Sequence, residues 1–490
     1  MSSGGGAGES THHAAAASVA NEALLADGLE RLGAATPVAA DLLEAFGTFV
    51  RTAADDELVR INPVAFAERY GLPAAAVVEL FLHARKLGLV AMEWQYVCPG
   101  CGEIVERLTS LTSATAHYFC QVCSANRDTD LSNFVEVTFS ISPDIRRSPY
   151  HDPWSLTPEE HFFSYRFTQS GILADGSSLR DRIREQAQVC AYIEPAATET
   201  FHATAEPRYL WFTNGPALIV GDTRTEQSRS FAFEYKGVRT ERFAAEIDAG
   251  PVEVEFTNAT AERYALMIIS LPSDYEVTML PFLSGAELLS NQTFVDLFAD
   301  ETIVDGEGLA VRLLALLFTD LKASTELYDR IGDLKAFDLV RHHFDYLRES
   351  IAANSGALVK TIGDAVMASF VDPLDGLRAA LDMQARIARL NADAGGELIS
   401  LKVGLHAGAC LAVTLNDRLD YFGQTVNIAA RVQSLAGADE IVVTDDVLSL
   451  PGAAVLVGGL QVDRSAVELK GIAGDIAVHR VRAPRDAAAG

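Results

Sequence analysis

Two acidic side chains in the last third of the chain stand at predicted turns. Asp320 follows the apolar run LLALLF (residues 313–318), which predicts a buried strand ending at the aspartate. Asp364 falls in LVKTIGDAVMASF (residues 358–370), where Gly-Asp between apolar runs predicts a hairpin turn. Hard oxygen ligands on fixed turns suit Mg²⁺ or Mn²⁺. Asn427 and Arg431, four apart in DYFGQTVNIAARV, share one face of a predicted helix.

Three motifs, FTDL, KTIGDAVMA and FGQTVNIAARV, occur in family order and at nearly family spacing, and they resemble the class III nucleotidyl cyclases, the adenylate and guanylate cyclases. The resemblance runs from about residue 311 to 481. It implies a ferredoxin-like α/β domain of βαββαβ character. It also implies that Asp320, Asp364 and the backbone carbonyl of Leu321 bind two Mg²⁺ or Mn²⁺ ions.

Cyclisation is an in-line attack of the ribose 3′-oxygen on the α-phosphorus, and two divalent ions compensate the attacking and leaving oxygens. The resemblance implies that Asn427 orients the ribose and that Arg431 stabilises the phosphorane. It assigns Lys470, in VELKGIAGD, to the triphosphate. Ser324 and Thr325, before a predicted helix, would cradle the β- and γ-phosphates with their hydroxyls and the first N–H groups.

Base choice rests on Lys360 and Asp420, which match the family positions that read the purine edge. The ammonium donates to adenine N1 and the carboxylate accepts from the N6 amine, whereas guanine presents the reverse pattern. An unpaired buried polar group costs about 1–3 kcal/mol, so GTP should be rejected by roughly one to a few powers of ten. The resemblance therefore implies an adenylate cyclase that forms 3′,5′-cyclic AMP and pyrophosphate.

Several alternatives remain open. A single Asp at a strand end is usually a cap or turn former, and Asn427 with Arg431 alone would be a helical surface pair. The joint occurrence of six such positions favours the site. A guanylate cyclase would need other groups at Lys360 and Asp420, and no GGDEF-like string supports a diguanylate cyclase. A non-enzymatic dimeric regulator with a degenerate cyclase domain is the third rival. His406 is interpreted as hydrogen-bonded in place, as are His342 and His343.

The stretch between Gly408 and Gly423, ACLAVTLNDRLDYF, is shorter than in membrane-type members of the family, where it forms a dimerisation arm. A short arm resembles the soluble bacterial subgroup. In this family the metal aspartates and the Asn/Arg pair of one site lie on opposite partners. Because this chain carries both sets, the resemblance implies a homodimer with two shared sites.

Four cysteines form the second strong pattern. CPGC (Cys98, Cys101) and CQVC (Cys120, Cys123) are separated by eighteen residues, as in a tetrahedral Cys₄ zinc site. Four thiolates leave no open coordination position, so the prediction is one structural Zn²⁺ in a zinc ribbon. A redox pair or free thiols are the alternatives.

The N-terminal half predicts further modules and resembles an uncharacterised region that accompanies some bacterial cyclase domains. Residues 61–94 read as helix, turn, helix and strand, typical of a winged helix, but few cations on the second helix favour protein contact over DNA. Short alternating runs predict an antiparallel β-sandwich, and an amphipathic helix would transmit a signal to the dimer. The predicted boundaries are tails 1–20 and 483–490, winged-helix-like module 21–95, zinc ribbon 96–134, β-sandwich 135–281, transmitter helix and linker 282–310, and cyclase domain 311–482.

The net charge of −28 would repel nucleic acid and anionic lipid. No apolar run approaches the roughly eighteen residues that span a bilayer, and the first residues lack the features of a signal peptide. We therefore predict a cytoplasmic, multidomain α+β enzyme without a membrane partner. An unidentified regulatory ligand or protein is expected at the N-terminal region.

Overall fold

The chain was analysed in a computed structural model. The structure describes residues 18–36, 39–120, 125–212, 217–237, 246–271, 277–304, 306–322, 332–393, 399–472 and 474–483. Helices and strands are mixed throughout these ranges, and the chain is a multidomain α+β protein.

Four helices begin the chain. Asn21 and Asn62 cap the first and third helices, because their side chains accept hydrogen bonds from backbone N–H groups of the first turn. The third helix ends at Gly71, which adopts the left-handed conformation with φ of 65°. The helix–turn–helix–strand order expected for residues 61–94 is present. The helices are α1 (Glu22–Ala35), α2 (Ala40–Thr52), α3 (Pro63–Tyr70) and α4 (Ala74–Lys86).

A three-stranded antiparallel sheet and a separate hairpin follow. The strands are β1 (Val90–Val97), β2 (Ile104–Leu108), β3 (His117–Cys120), β4 (Ala125–Asp128) and β5 (Val135–Ile141). The sheet order is β2-β1-β5, and β3 pairs with β4. Assigning residues 135–141 to the β-sandwich was wrong, since β5 pairs with β1 along its whole length. Because β5 is buried on nearly every residue, its sequence does not indicate which sheet it joins.

The second sheet is larger. Its order is β11-β12-β10-β9-β13-β7, and β8 also pairs with β12. The expectation of a purely antiparallel arrangement was wrong, because β12 runs parallel to both β10 and β11. Local alternation predicts strands but not the direction of their partners. The elements are α5 (Pro158–Tyr165), β6 (Gly171–Leu173), α6 (Leu179–Gln186), β7 (Ala187–Ile193), β8 (Thr198–Ala205), β9 (Arg208–Phe212), β10 (Ala217–Arg224), β11 (Arg229–Tyr235), β12 (Glu246–Asn258), β13 (Tyr264–Leu271) and β14 (Val277–Met279).

Two short helices connect this region to the C-terminal domain, where one amphipathic helix was expected. They are α7 (Gly285–Leu289) and α8 (Gln292–Leu297). The break arises because Asn291 starts a new helix, its side chain accepting from the N–H of Phe294. We call residues 290–301 the connecting segment.

The C-terminal domain is built on an eight-stranded sheet of order β16-β17-β15-β18-β20-β22-β21, with β19 paired to β18. Its first elements follow the predicted βαββαβ order. The elements are β15 (Leu309–Leu321), α9 (Asp333–Ala353), β16 (Ala357–Ile362), β17 (Ala365–Phe370), α10 (Pro373–Asp393), β18 (Leu401–Leu415), β19 (Arg418–Phe422), α11 (Gln424–Ser434), β20 (Glu440–Thr444), α12 (Asp445–Leu448), α13 (Ala453–Leu456), β21 (Gln461–Glu468) and β22 (Asp475–Arg482).

Two local features of the sequence determine how α11 packs on β18 and how the hairpin of β18 and β19 turns. At Gly404 of β18, an added Cβ would lie 2.2 Å from the backbone nitrogen of Gln433, so only glycine lets α11 pack this closely on the strand. The hairpin β18–β19 turns at Asn416 and Asp417, whose φ angles are 53° and 59°. Two consecutive left-handed residues are typical of a type I′ turn, which keeps this arm short.

The N-terminal half and the C-terminal domain share one hydrophobic core, which includes Tyr118 and Leu131 on one side and Leu316 and Phe318 of β15 on the other. The N–H of Leu131 also donates to the carbonyl of Ala310 at 2.9 Å, at the start of β15. Strand β15, which carries Asp320 near its end, is therefore attached at its start to the cysteine-containing region. No helix among the described residues has the length and apolar character needed to cross a bilayer.

Candidate active site and cysteine cluster

The two predicted metal ligands lie at the same end of the sheet. Asp320 is the penultimate residue of β15, and Asp364 occupies the turn between β16 and β17, as expected. Strand β15 pairs with β17 in antiparallel register, and the hydroxyl of Thr319 accepts the N–H of Val366 at 3.0 Å. Continuing this register brings Asp320 beside the turn that carries Asp364. Leu321, whose carbonyl was the third predicted ligand, ends the strand.

Asp364 presents one carboxylate oxygen that the protein does not satisfy. Its Oδ2 is buried and has no hydrogen-bond partner. Such an orphaned acceptor is costly unless a cation or donor joins it. Near it lies the buried imidazole of His343. Burial lowers the pKa of His343 to about 4, against the opposing pull of Asp364, so the ring is neutral at physiological pH.

The sequence analysis did not identify Lys402, which lies beside Asp320 at the same end of the sheet. It stands opposite Asp320 in the pairing of β15 with β18, and its ammonium forms an ion pair with Asp320 Oδ2. A signal existed, since Lys402 is the charged residue within the largely apolar run ISLKVGL (residues 399–405). The ammonium balances the negative charge of the Asp320 carboxylate.

Lys360 and Asp420 meet directly, although sixty positions separate them in the chain. Lys360 Nζ lies 2.5 Å from Asp420 Oδ2, and Asp420 Oδ1 accepts the N–H of Tyr421 at 2.8 Å. The hairpin of β18 and β19, here called the arm hairpin, thus brings β19 against the edge strand β16. A donor and an acceptor are presented side by side, as two neighbouring positions on one base edge would require.

The predicted helical pair is also present. Asn427 and Arg431 lie on α11, with Asn427 exposed and Arg431 half-buried. Arg431 Nη1 is buried and has no hydrogen-bond partner. The loop that carries Lys470 lies close by, because a Cβ added at Gly471 would be 3.6 Å from Arg431 Nη1. Asp320 pairs with Lys402 rather than with this guanidinium.

Ser324 and Thr325, the predicted phosphate contacts, lie outside the described residues. Cys123, the predicted fourth ligand of the cysteine site, does as well.

The other three cysteines converge. Cys98, Cys101 and Cys120 are buried, and their sulfur atoms all lie within 4.8 Å of one another. Cys101 Sγ and Cys120 Sγ are 3.5 Å apart, and Cys120 Sγ is 3.3 Å from Glu103 Oε2. A cluster of thiols at this spacing could bind a metal ion.

Comparison with known proteins identifies the C-terminal domain. Residues 311–481 match the family described as Adenylate and Guanylate cyclase catalytic domain. The domain is therefore a class III nucleotidyl cyclase catalytic domain, which confirms the resemblance drawn from its motifs. Residues 29–296 match a family of unknown function (DUF5939), and since this covers more than half of the chain, the protein belongs to that family.

Two relatives illustrate the extent of the similarity. An adenylate cyclase of Mycosarcoma maydis is 33% identical over 155 residues, which cover 28% of this chain and 6% of that protein. An adenylate cyclase of Streptomyces coelicolor is 32% identical over 140 residues, covering 28% of this chain and 34% of that protein. The chain thus spans about a third or less of these two relatives.

Two sets of solved structures are also similar to part of this chain. Adenylate cyclases from Trypanosoma brucei, analysed in their monomeric state, match at 25% identity over 34% of this chain and 89% of that chain, with a TM-score of 0.31. The adenylyl cyclase CyaB from P. aeruginosa matches at 21% identity over 36% of this chain and 97% of that chain, with a TM-score of 0.32.

Proposed function

We propose that the protein is an adenylate cyclase that converts ATP into 3′,5′-cyclic AMP and pyrophosphate. The observation that carries this proposal is the contact between Lys360 and Asp420 at 2.5 Å. Adenine N1 accepts a hydrogen bond and the adjacent N6 amine donates one, so a neighbouring ammonium and carboxylate match that edge. Guanine offers a donor at N1 and an acceptor at O6, which leaves both side chains facing the wrong partner.

Asp320, Asp364 and the Leu321 carbonyl would hold two Mg²⁺ or Mn²⁺ ions, which supply charge compensation at the attacking and leaving oxygens. The unpartnered Oδ2 of Asp364 supports this assignment, because a buried carboxylate oxygen needs a positive partner. Without a bound metal ion, the ammonium of Lys402 balances the negative charge of Asp320. Oxygen donors suit these hard ions better than zinc or copper.

Asn427 and Arg431 act on the sugar and the reacting phosphorus. Asn427 is exposed on α11 and orients the ribose. Arg431 donates its free Nη1–H to the phosphorane oxygens, where negative charge grows in the transition state. Lys470, on the loop beside Arg431, contacts the triphosphate, and Ser324 and Thr325 remain predicted phosphate ligands.

The proposed enzyme acts as a homodimer in which one copy supplies the carboxylates and the other supplies Arg431. Exposed apolar side chains on the arm hairpin support an interface there. Leu411 is 39% exposed, Leu415 46% and Phe422 64%, and Leu411 stands directly opposite Phe422 in the hairpin. Apolar residues clustered on one exposed hairpin are typical of a contact surface.

We also propose that Cys98, Cys101, Cys120 and Cys123 bind one structural Zn²⁺. The convergence of the first three sulfur atoms supports this. Metal analysis of the purified protein should find about one zinc per chain, and the Cys98→Ser variant should lose it. Reduced thiols fit the cytoplasm, where we place the enzyme. A wild-type protein purified without chelator that carries no zinc would overturn the assignment.

One incubation tests the main proposal. Purified full-length protein is mixed with Mn²⁺ and each of the four ribonucleoside triphosphates in turn, and products are identified by mass spectrometry. ATP should yield cyclic AMP and pyrophosphate. Cyclic GMP as the main product would make the protein a guanylate cyclase, and no cyclic nucleotide from any triphosphate would favour a non-enzymatic regulator.

A further inference from the structure

A cavity of about 260 Å³ lies in the N-terminal half, between the first helices and the chain that precedes α7 and the connecting segment. Its wall is formed by α2, α3 and the loop between them, and by residues 169–170 and 280–281. All of these lie within residues 29–296, which match the family of unknown function. The volume is just below the roughly 300–1,000 Å³ of drug-sized ligand sites, so the cavity suits a smaller molecule.

Much of the wall is apolar. The buried rings of Phe49 and Phe66 pack edge to face with their centroids 5.3 Å apart. Leu280 lines the same cavity and is 45% exposed, although it is a large apolar residue. A ligand that covers these side chains removes apolar surface from water, which favours its binding.

The buried charge of the wall belongs to Arg60, which is only 3% exposed. Its guanidinium donates to the side-chain oxygen of Gln95 at 3.4 Å, to the carbonyl of Phe167 at 3.1 Å and to the carbonyl of Ser164. All three acceptors are neutral. Burial lowers the pKa of Arg60 to about 10, so the side chain stays charged at physiological pH.

The acid that acts most strongly on Arg60 is hydrogen-bonded elsewhere. This acid is Glu136, whose carboxylate accepts from the hydroxyls of Thr168 at 2.8 Å and Ser170 at 2.6 Å. A guanidinium has five N–H donors, and the three contacts of Arg60 leave two of them for another acceptor. Because a buried cation is normally matched by an anion, a carboxylate that accepts both N–H groups would complete the site.

The other charges of the wall face solvent. Arg69 and Glu57 form an ion pair at 2.6 Å and are both partly exposed, and Glu68 is exposed on α3. Water screens such exposed charges strongly. Within the described part of the wall, Arg60 is thus the arginine that has no ion pair, which favours a ligand with one carboxylate.

The backbone fixes Arg60 in this position. Its φ of 56° is left-handed, which is uncommon for a residue with a side chain. Its N–H donates to the hydroxyl of Ser140 at 3.0 Å, and the next residue, Ile61, exchanges backbone hydrogen bonds with Phe139 of β5. Residues held in such conformations cluster at ligand sites. The fold therefore keeps this guanidinium in the cavity wall and away from solvent.

We propose that this cavity binds a small monocarboxylate with an apolar or aromatic body. The carboxylate bonds the two remaining N–H groups of Arg60, and the body lies against the rings of Phe49 and Phe66. In the same wall, Asn62 Nδ2 donates to the carbonyl of Pro281 at 2.9 Å, so the ligand contacts both the N-terminal helices and the chain that leads to α7. The inference gives the region of unknown function a ligand class and does not depend on the reaction of the catalytic domain.

Two alanines give a matched test of the location. Ala65 and Ala75 are both exposed on neighbouring helices, and only Ala65 lines the cavity. The probe is para-fluorophenylacetate, whose binding to full-length protein is followed by fluorine NMR, with an expected Kd of about a millimolar or tighter. Ala65→Trp, which fills the cavity, should weaken binding by at least about tenfold. Ala75→Trp should leave the affinity unchanged.

A neutral molecule of the same shape tests the charge. Para-fluorophenylacetamide should bind at least about tenfold more weakly than the carboxylate, because it loses the charge-assisted hydrogen bonds. Arg60→Gln should weaken binding of the carboxylate to a similar extent and change that of the amide little. If this variant does not fold, the Ala65 variant still decides. No detectable binding of the carboxylate, equal affinity of the two molecules, or unchanged binding to Ala65→Trp would overturn the inference.

Discussion

The catalytic domain contains two lysine–aspartate ion pairs with opposite surroundings. In the pair near the sheet end, Asp320 is 31% exposed and Lys402 22%. In the pair that joins β16 and β19, Asp420 is 9% exposed and Lys360 40%. The more exposed member is the acid in the first pair and the ammonium in the second. Under the proposed function, the first pair would offer a cation site and the second a hydrogen-bond donor for a base.

The difference predicts what each lysine does when ligand arrives. At the first pair a metal ion competes with Lys402 for Asp320. At the second pair Lys360 and Asp420 would each bond a different atom of the base. Substitutions at the two pairs should therefore have different effects on activity and on ligand binding.

The largest effect is expected at the metal carboxylates. Asp364→Asn should reduce cyclic AMP formation by at least about a thousandfold, because it removes charge compensation worth several kcal/mol in the transition state. The fold should survive, since Oδ2 of Asp364 makes no hydrogen bond to lose. Turnover is measured across a Mn²⁺ titration, with Asp463→Asn, a surface acid on β21, as the control. A near-normal rate for Asp364→Asn would remove the metal assignment.

Mixing inactive variants tests whether the two halves of a site lie on different copies. Asp320→Asn and Arg431→Ala should each be inactive alone. After unfolding and refolding together, or co-expression, the mixture should regain activity, because a mixed dimer has one site with all its residues intact. If the mixture stays as inactive as its parts, both sets of residues act within one chain.

The second pair should control base choice before it controls rate. Lys360→Ala and Asp420→Ala should each lower the ratio of kcat/KM for ATP to that for GTP by roughly tenfold to a hundredfold, since each leaves a base atom unpaired. Arg464→Ala, which removes an exposed cation on β21, serves as the control. Equal losses for ATP and GTP would mean that the pair supports the fold and does not read the base.

A smaller effect distinguishes the two lysines directly. Lys402→Gln should tighten Mn²⁺ binding without nucleotide by up to about fivefold, because a partly exposed ion pair is worth about 0.2–1 kcal/mol. Lys360→Gln should leave Mn²⁺ affinity unchanged. Free Mn²⁺ is measured by electron paramagnetic resonance. Equal tightening in both variants would show only an effect of net charge, and the contrast between the pairs would be lost.

The sequence predicts those parts of this site that depend on neighbouring residues. The strand end at Asp320, the turn at Asp364 and the helix of Asn427 and Arg431 are each read from a local pattern, and the structure has all three. Lys402 could not be placed in the same way. Its contact with Asp320 depends on the pairing of β15 with β18, between which the described residues form two helices and a hairpin.

The N-terminal half was harder to predict for the same reason. Strand β5 was assigned to the wrong sheet because its partner lies outside its own segment, and the parallel pairs of β12 depend on long connections. The break between α7 and α8 was accessible, since Ser-Asn before a short apolar run is a capping signal.

The smallest expected effect concerns His406, which the sequence analysis set aside as hydrogen-bonded in place. Its Nδ1 lies 2.9 Å from Thr444 Oγ1, and the ring is buried. Burial lowers its pKa, and Asp446 opposes this only in part. The unfolded chain, with a pKa near about 6.5 for a free histidine, therefore binds the proton first as the pH falls.

Stability from His406 is thus fully present above about pH 6.5 and declines as acid is added. The difference in the free energy of unfolding between wild type and His406→Gln should be largest near neutral pH and shrink toward acid. Urea denaturation at several pH values, followed by circular dichroism, measures it. A difference that does not change with pH would mean that the ring titrates alike in the folded and unfolded protein. His406 would then contribute to stability by packing alone. The lysine–aspartate pairs differ from it, because their contributions depend on which partner is exposed to solvent.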